Sequence, residues 1–169
     1  MRILGVDPGS HLTGWGLLSG SARDPQVVEC GVIRLSESLA LADRLAALHR
    51  EFEGLVRRLR PEEAAVEAPF HGANARSAFQ LAHARGVVLA VLGAEAIAVA
   101  EYAPAAVKKA VTGSGRAEKV QVQAMVKRLL GPGAGTGPHD VADALAVALC
   151  HGATVGFRAA VARGAAGAR

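Results

Sequence analysis

Four carboxylates stand where an acid can do more than meet solvent: Asp7, Glu67, Asp140 and Asp143. Asp7 closes the short apolar run RILGVD and is followed at once by PGS, and Glu67 closes a second run, EEAAVE. Runs of this length bounded by turn residues read as buried strands, so both acids fall at strand ends. Asp140 and Asp143 open the segment HDVADALAVALCHGAT, and their spacing places them on neighbouring positions of one helix face. If the strands ending in Asp7 and Glu67 are adjacent, as a right-handed crossover permits, all four acids meet at one end of a sheet. Like charges do not gather in one place without a cation. Oxygen donors of this kind suit hard divalent ions, Mg²⁺ commonly using one or two carboxylates with water and substrate phosphate. Two such ions roughly 4 Å apart activate water and stabilise the leaving oxygen of a phosphodiester.

Taken singly, each acid has a plainer explanation. Asp7 before Pro8 and Gly9 is ordinary turn chemistry. Glu67 fits an exposed strand end, and Asp140 and Asp143 fit first-turn acids favoured by the helix dipole. The combination, rather than any one residue, points to a metal-dependent hydrolytic site.

The elements that must position these acids follow from pattern. RILGVD, TGWGLLS and VVECGVIRL, with the second turn at DPQ, predict three strands in an antiparallel meander. Leu41, Leu45, Leu48, Phe52, Leu55 and Leu59 recur at helical spacing, with Ser38 as candidate cap and Pro61 past the end. EEAAVEAPF predicts a fourth strand, ARSAFQLAHARGVVLAVLGAEA a helix interrupted or at least weakened at Gly86, and AIAVAEYAP a fifth strand. Helices then follow over AAVKKAVTG, AEKVQVQAMVKRLLG and HDVADALAVALCHGAT. A meander followed by strands alternating with helices implies a five-stranded mixed α/β sheet flanked by helices. Residues 1–155 form a single domain on this reading, and 156–169 a basic, flexible tail.

Composition narrows the class. The chain has 169 residues, 51% of them hydrophobic, enough for one well-buried core. Its two cysteines follow no paired spacing, which argues against a disulfide framework or zinc ribbon. With no leader-like or membrane-spanning stretch, a cytoplasmic protein is expected. Charge is uneven: beyond residue 103 there are nine Lys or Arg against three acids, whereas the first 103 residues carry ten against twelve. Such asymmetry suits a polyanion partner. Within AEKVQVQAMVKRLLG, Lys119, Gln123 and Lys127 share one face, beside GSGR, which carries Arg116, and near Lys108. That face reads as a solvated surface or as a DNA-facing stripe.

Four ordered blocks resemble the RuvC-type Holliday-junction endonucleases: GVDPGSHLTGWG, VEAPFHGANARSAFQLAHARGV, VKKAVTGSGRAEKVQVQAMV and HDVADALAVALCH. The resemblance implies a ribonuclease H-like fold and a homodimer that cuts four-way DNA junctions in recombination and repair with Mg²⁺ or Mn²⁺, two ions per site. It assigns the ligands to Asp7, Glu67, Asp140 and Asp143; some relatives carry histidine at the position of Asp140. It implies DNA contacts by Lys108 and Lys119, and by Phe70, which matches an aromatic residue set against unstacked bases. It also implies a dimer interface on the helix of Phe79 and Leu81, and partnership with the RuvA and RuvB branch-migration proteins. Many relatives have Lys where this chain has Ala73. His139 reads as a helper of the site or a simple helix-terminal residue. The alternative is a related ribonuclease H-like nuclease that processes RNA. The opening loop also resembles the phosphate loop of the actin and sugar-kinase ATPases, but the chain has room for only one of their two domains, and GxxxxGK[ST] is absent.

Overall fold

The computed structural model describes residues 1–68, 75–135 and 138–166. Three strands come first, β1 (Arg2–Asp7), β2 (Leu12–Ser21) and β3 (Asp24–Arg34), then α1 (Leu41–Leu59), β4 (Glu63–Glu67), α2 (Ala75–Ala94) and β5 (Ala98–Tyr102). Helices α3 (Pro104–Thr112), α4 (Lys119–Leu130) and α5 (His139–Ala166) complete the chain. The five strands form one mixed sheet in the order β3-β2-β1-β4-β5. β1, β2 and β3 pair antiparallel, because short turns leave neighbours no other partner. β4 and β5 return through helices and join parallel to β1.

Strand alternation sorts the sheet's two faces. Leu4, Val6, Trp15, Leu17, Ala64 and Val66 pack against Leu48, Phe52 and Leu55 of α1 and Val88 and Leu92 of α2. Ile3, Leu18 and Ala65 face the opposite way, onto Val107, Val122, Val126, Leu145 and Val147 of α3, α4 and α5. Because side chains alternate with a period of two, Asp7 shares the face of Ile3 and Gly5, and Glu67 that of Glu63 and Ala65. Both strand-end acids therefore open toward the α5 layer.

Several local expectations are corrected. Asp24, Pro25 and Gln26 belong to β3, and the turn lies at Ala22 and Arg23, with Ser21 paired to Asp24. Proline is tolerated there because β3 is an edge strand. Ser38 does not cap α1: its hydroxyl pairs with Ser36 at 2.8 Å, and the cap position is Ala40. Helix α2 runs unbroken through Gly86, since burial of Ala84, Val88 and Val91 outweighs a glycine cost of about 1 kcal/mol. Helix α5 continues to Ala166 instead of stopping near Thr154; the added segment is rich in alanine, the best helix former. Among the described residues no helix is long and apolar enough to cross a membrane.

Candidate metal centre and its basic rim

Glycines set how closely α5 approaches the sheet. Asp7 pairs with Gly14 across the β1–β2 ladder. A Cβ on Gly14 would lie 2.1 Å from the carbonyl oxygen of Asp140, and one on Gly5 would lie 2.0 Å from that of Ala144. Only residues without side chains let the helix backbone come this near. Gly14 thus brings the first turn of α5, with Asp140, beside the residue opposite Asp7. Thr13, fully buried, ties down the loop after Asp7 through its hydroxyl, 3.3 Å from the Gly9 carbonyl oxygen. The sequence reading did not give Gly5, Gly14 and Thr13 a role; glycines inside a strand pattern were the available signal.

The acids converge as the spacing implied. Asp7 is pushed up to about 8 by burial first, then by the charges of Glu67 and Asp143, a hydrogen bond to Glu67, and the charge of Asp140. Glu67 is also raised, chiefly by burial and further by Asp143, while its hydrogen bond with Asp7, Lys119 and Lys108 pull the other way. The two carboxyls share a proton, so without a cation the cluster sheds charge by staying partly protonated. The four acids do not close into a ready cage, and among the described residues no three His, Cys, Asp or Glu form one. Asp143 instead meets Lys119 Nζ at 2.7 Å. Partial burial works against that ammonium, but Asp143, Asp140 and Asp7 outweigh it and raise its pKa. Crowded oxygen donors with an excess of negative charge fit hard divalent cations.

The site opens to two hollows. One of about 170 Å³ is lined by Glu67, Asp143, Lys108, Lys119, Pro104 and Val107. The other, about 140 Å³, is lined by Asp7, Glu67, Pro8, Leu81, Arg85 and Pro104. Lys108 and Lys119 therefore rim the acids directly. Arg116 and Lys127 are exposed further along the same layer. Gln123, expected on the face of Lys119 and Lys127, sits 2.6 Å from His139 Nδ1 and ties α4 to the start of α5. Phe79 is 67% exposed on α2. Leu81 does not share its face but borders the hollow beside Asp7, as a two-residue offset on a helix dictates. Phe70 and Ala73 lie outside the described residues.

The sequence profile described as "Crossover junction endodeoxyribonuclease RuvC" matches residues 3–151. The chain belongs to the RuvC family. It is 48% identical over 151 residues to the RuvC of Paramagnetospirillum magneticum, covering 89% of this chain and 90% of the relative. It is 46% identical over 165 residues to the RuvC of Xanthobacter autotrophicus, covering 95% and 97%. Among solved structures it is similar to T. thermophilus RuvC in complex with Holliday junction substrate, with a TM-score of 0.87, 31% identity and coverage of 93% and 96%. The five-stranded sheet with its flanking helices is thus the ribonuclease H-like fold of the RuvC resolvases.

Proposed function

We propose that this chain resolves four-way DNA junctions by metal-dependent phosphodiester hydrolysis. The observation that carries the reading is the meeting of Asp7, Glu67, Asp140 and Asp143 under a rim of Lys108 and Lys119, in a chain of the RuvC family. Asp7, Glu67, Asp140 and Asp143 would hold Mg²⁺ or Mn²⁺, two ions per site. Bound there, the ions supply Lewis acidity and water activation. A P–O bond forms to water, the bond to O3′ breaks, and the departing oxygen takes a proton, leaving a 5′-phosphate and a 3′-hydroxyl.

The remaining work falls to the protein. Burial of Asp7 lowers the local dielectric, so charge interactions there are stronger than in water. Lys108 and Lys119 hold the strand by its phosphates, with Arg116 and Lys127 extending the track; such contacts position DNA without reading sequence. Phe70 would stack on an opened base, worth roughly 1–3 kcal/mol.

Two symmetric cuts need two sites, and α2 offers a surface to pair them. Phe79 is exposed there, and the exposed Ala82, Gly86, Ala90 and Gly93 continue the same face. Apposed across a two-fold axis, this face would make a homodimer with one site for each of two opposed strands. RuvA and RuvB are the partners the family resemblance implies.

Cleavage of a labelled mobile four-way junction tests the reading, with Mg²⁺, Mn²⁺ or chelator, for wild type and Asp7→Asn. Paired symmetric nicks by wild type are expected, with a fall of at least about a thousandfold for Asp7→Asn and binding kept. Binding without nicks under either metal, or cleavage of structured RNA in preference to the junction, overturns it.

A further inference from the structure

Away from the acids, a polar chain centred on a buried histidine runs where the α5 layer meets the sheet. His151 on α5 is only 5% exposed, and both its ring nitrogens are engaged. Nδ1 lies 2.8 Å from the Tyr102 hydroxyl, and Nε2 lies 2.6 Å from Glu63 Oε2. The Tyr102 and His151 rings also meet edge-on, with centroids 5.8 Å apart. A carboxylate at Nε2 requires that this nitrogen carry hydrogen, so with a neutral ring the Tyr102 hydroxyl donates to Nδ1 and Nε2–H donates to Glu63. Every member of the chain has its partner.

Each member sits on an element that carries part of the metal centre. Glu63 opens β4, on the same face as Glu67 at its other end. Tyr102 ends β5 directly opposite Glu67 in the ladder, immediately before the helix that presents Lys108. His151 stands on α5 about two turns beyond Asp143. Around this chain, α5 and β4 share an apolar cluster that includes Ala65, Leu145, Ala146, Val147 and Ala148. Apolar packing sets the distance of the helix from the sheet, and hydrogen bonds, which fall off steeply with distance and angle, add a directional constraint along its axis.

We propose that the Glu63–His151–Tyr102 chain sets the axial register of α5 against β4 and β5, and so places Asp140 and Asp143 relative to Glu67. His151 is thereby a positioning residue for the cleavage step, an inference that rests on the nuclease reading above. Ligand geometry must hold within about 0.5 Å for such a centre to work, and the directional bonds of His151 add to what the apolar packing of α5 provides.

The test uses the full chain with His151→Phe, which keeps a buried ring and removes both bonds, and Tyr102→Phe, which removes one hydroxyl. His151→Gln is the rescue, because its amide can both accept from Tyr102 and donate to Glu63. Three quantities are read: the single-turnover cutting rate at saturating enzyme, junction affinity in chelator, and Mn²⁺ bound by the free protein from its electron paramagnetic resonance signal. For His151→Phe the rate should fall tenfold or more and Mn²⁺ binding weaken severalfold, with junction affinity within twofold of wild type. Tyr102→Phe should show a smaller loss of the same kind, and His151→Gln should recover part of it. If folded His151→Phe cuts and binds Mn²⁺ as wild type does, or if His151→Phe fails to fold and Tyr102→Phe is indistinguishable from wild type, the proposal is overturned. Failure of the wild type to cut any junction would instead remove the nuclease reading on which it stands.

Discussion

The two faces of the sheet are built differently. Toward α1 and α2 the core is thick, with Phe52, Leu48, Leu92 and Leu4 fully buried. Toward α5 it is thin: Ala144 and Ala148 ride on Gly5, Asp140 on Gly14 and the Leu145 side chain on Gly16, close enough that added Cβ atoms would collide with the helix. The first face buries large apolar side chains, the main source of folding free energy. The second face brings a helix backbone down onto the sheet, which bulky side chains would forbid. All four acids belong to the second. Stability and geometric accuracy have been divided between the two sides of one sheet.

Substitutions on each side separate the two roles most sharply. Phe52→Ala should cost about 3–5 kcal/mol by leaving a cavity, yet leave cutting per folded molecule within about twofold, given an ordinary structural role for that residue. Gly14→Ala should cost about 1–3 kcal/mol by overpacking, but lower the cutting rate by about a hundredfold, because misplacement near 1 Å has that effect. Thermal unfolding and single-turnover cleavage together measure both. Equal loss of rate per folded molecule in the two variants would break the division.

A second effect appears without any DNA. Asp7 is raised from 3.8 to about 8 in the folded chain, so between those values the folded state holds a proton that the unfolded state has released. The stability this contributes is fully present below about pH 4 and is lost as pH rises through about 8. In chelator, the melting temperature of wild type relative to Asp7→Asn should therefore decline across that window. A parallel pair of melting curves would show that the crowding of acids is not felt by the fold. Saturating Mg²⁺ should offset the decline if the acids hold the ion.

The smallest effect expected is at the rim. Lys119→Ala should weaken junction binding modestly and lower the slope of log affinity against log salt by about 0.9 for one lost phosphate contact. Lys119 also pairs with Asp143, so an unchanged slope with a slower cut would assign it to the acid cluster alone.

Much of this arrangement was legible in the chain. Apolar runs ending in Asp7 and Glu67 marked buried strands with acids at their tips, and local turns forced the meander. Leu48, Phe52, Leu55 and Leu59 announced α1 by their period. Where the reading slipped, a tertiary cause was at work. Pro25 is accepted in a strand because that strand is an edge, and Gly86 is accepted in a helix because its neighbours are buried.

Sequence by itself determined the kinds of element, their order and the acids they carry, because period and turn chemistry act over a few residues. It did not determine how near α5 lies to β1 and β2, the rise of Asp7 to about 8, or the pairing of His151 with Glu63 and Tyr102. Those depend on through-space distances between residues far apart in the chain: Glu63 and His151, separated by 88 positions, meet at 2.6 Å only after the sheet and its last helix have closed on each other.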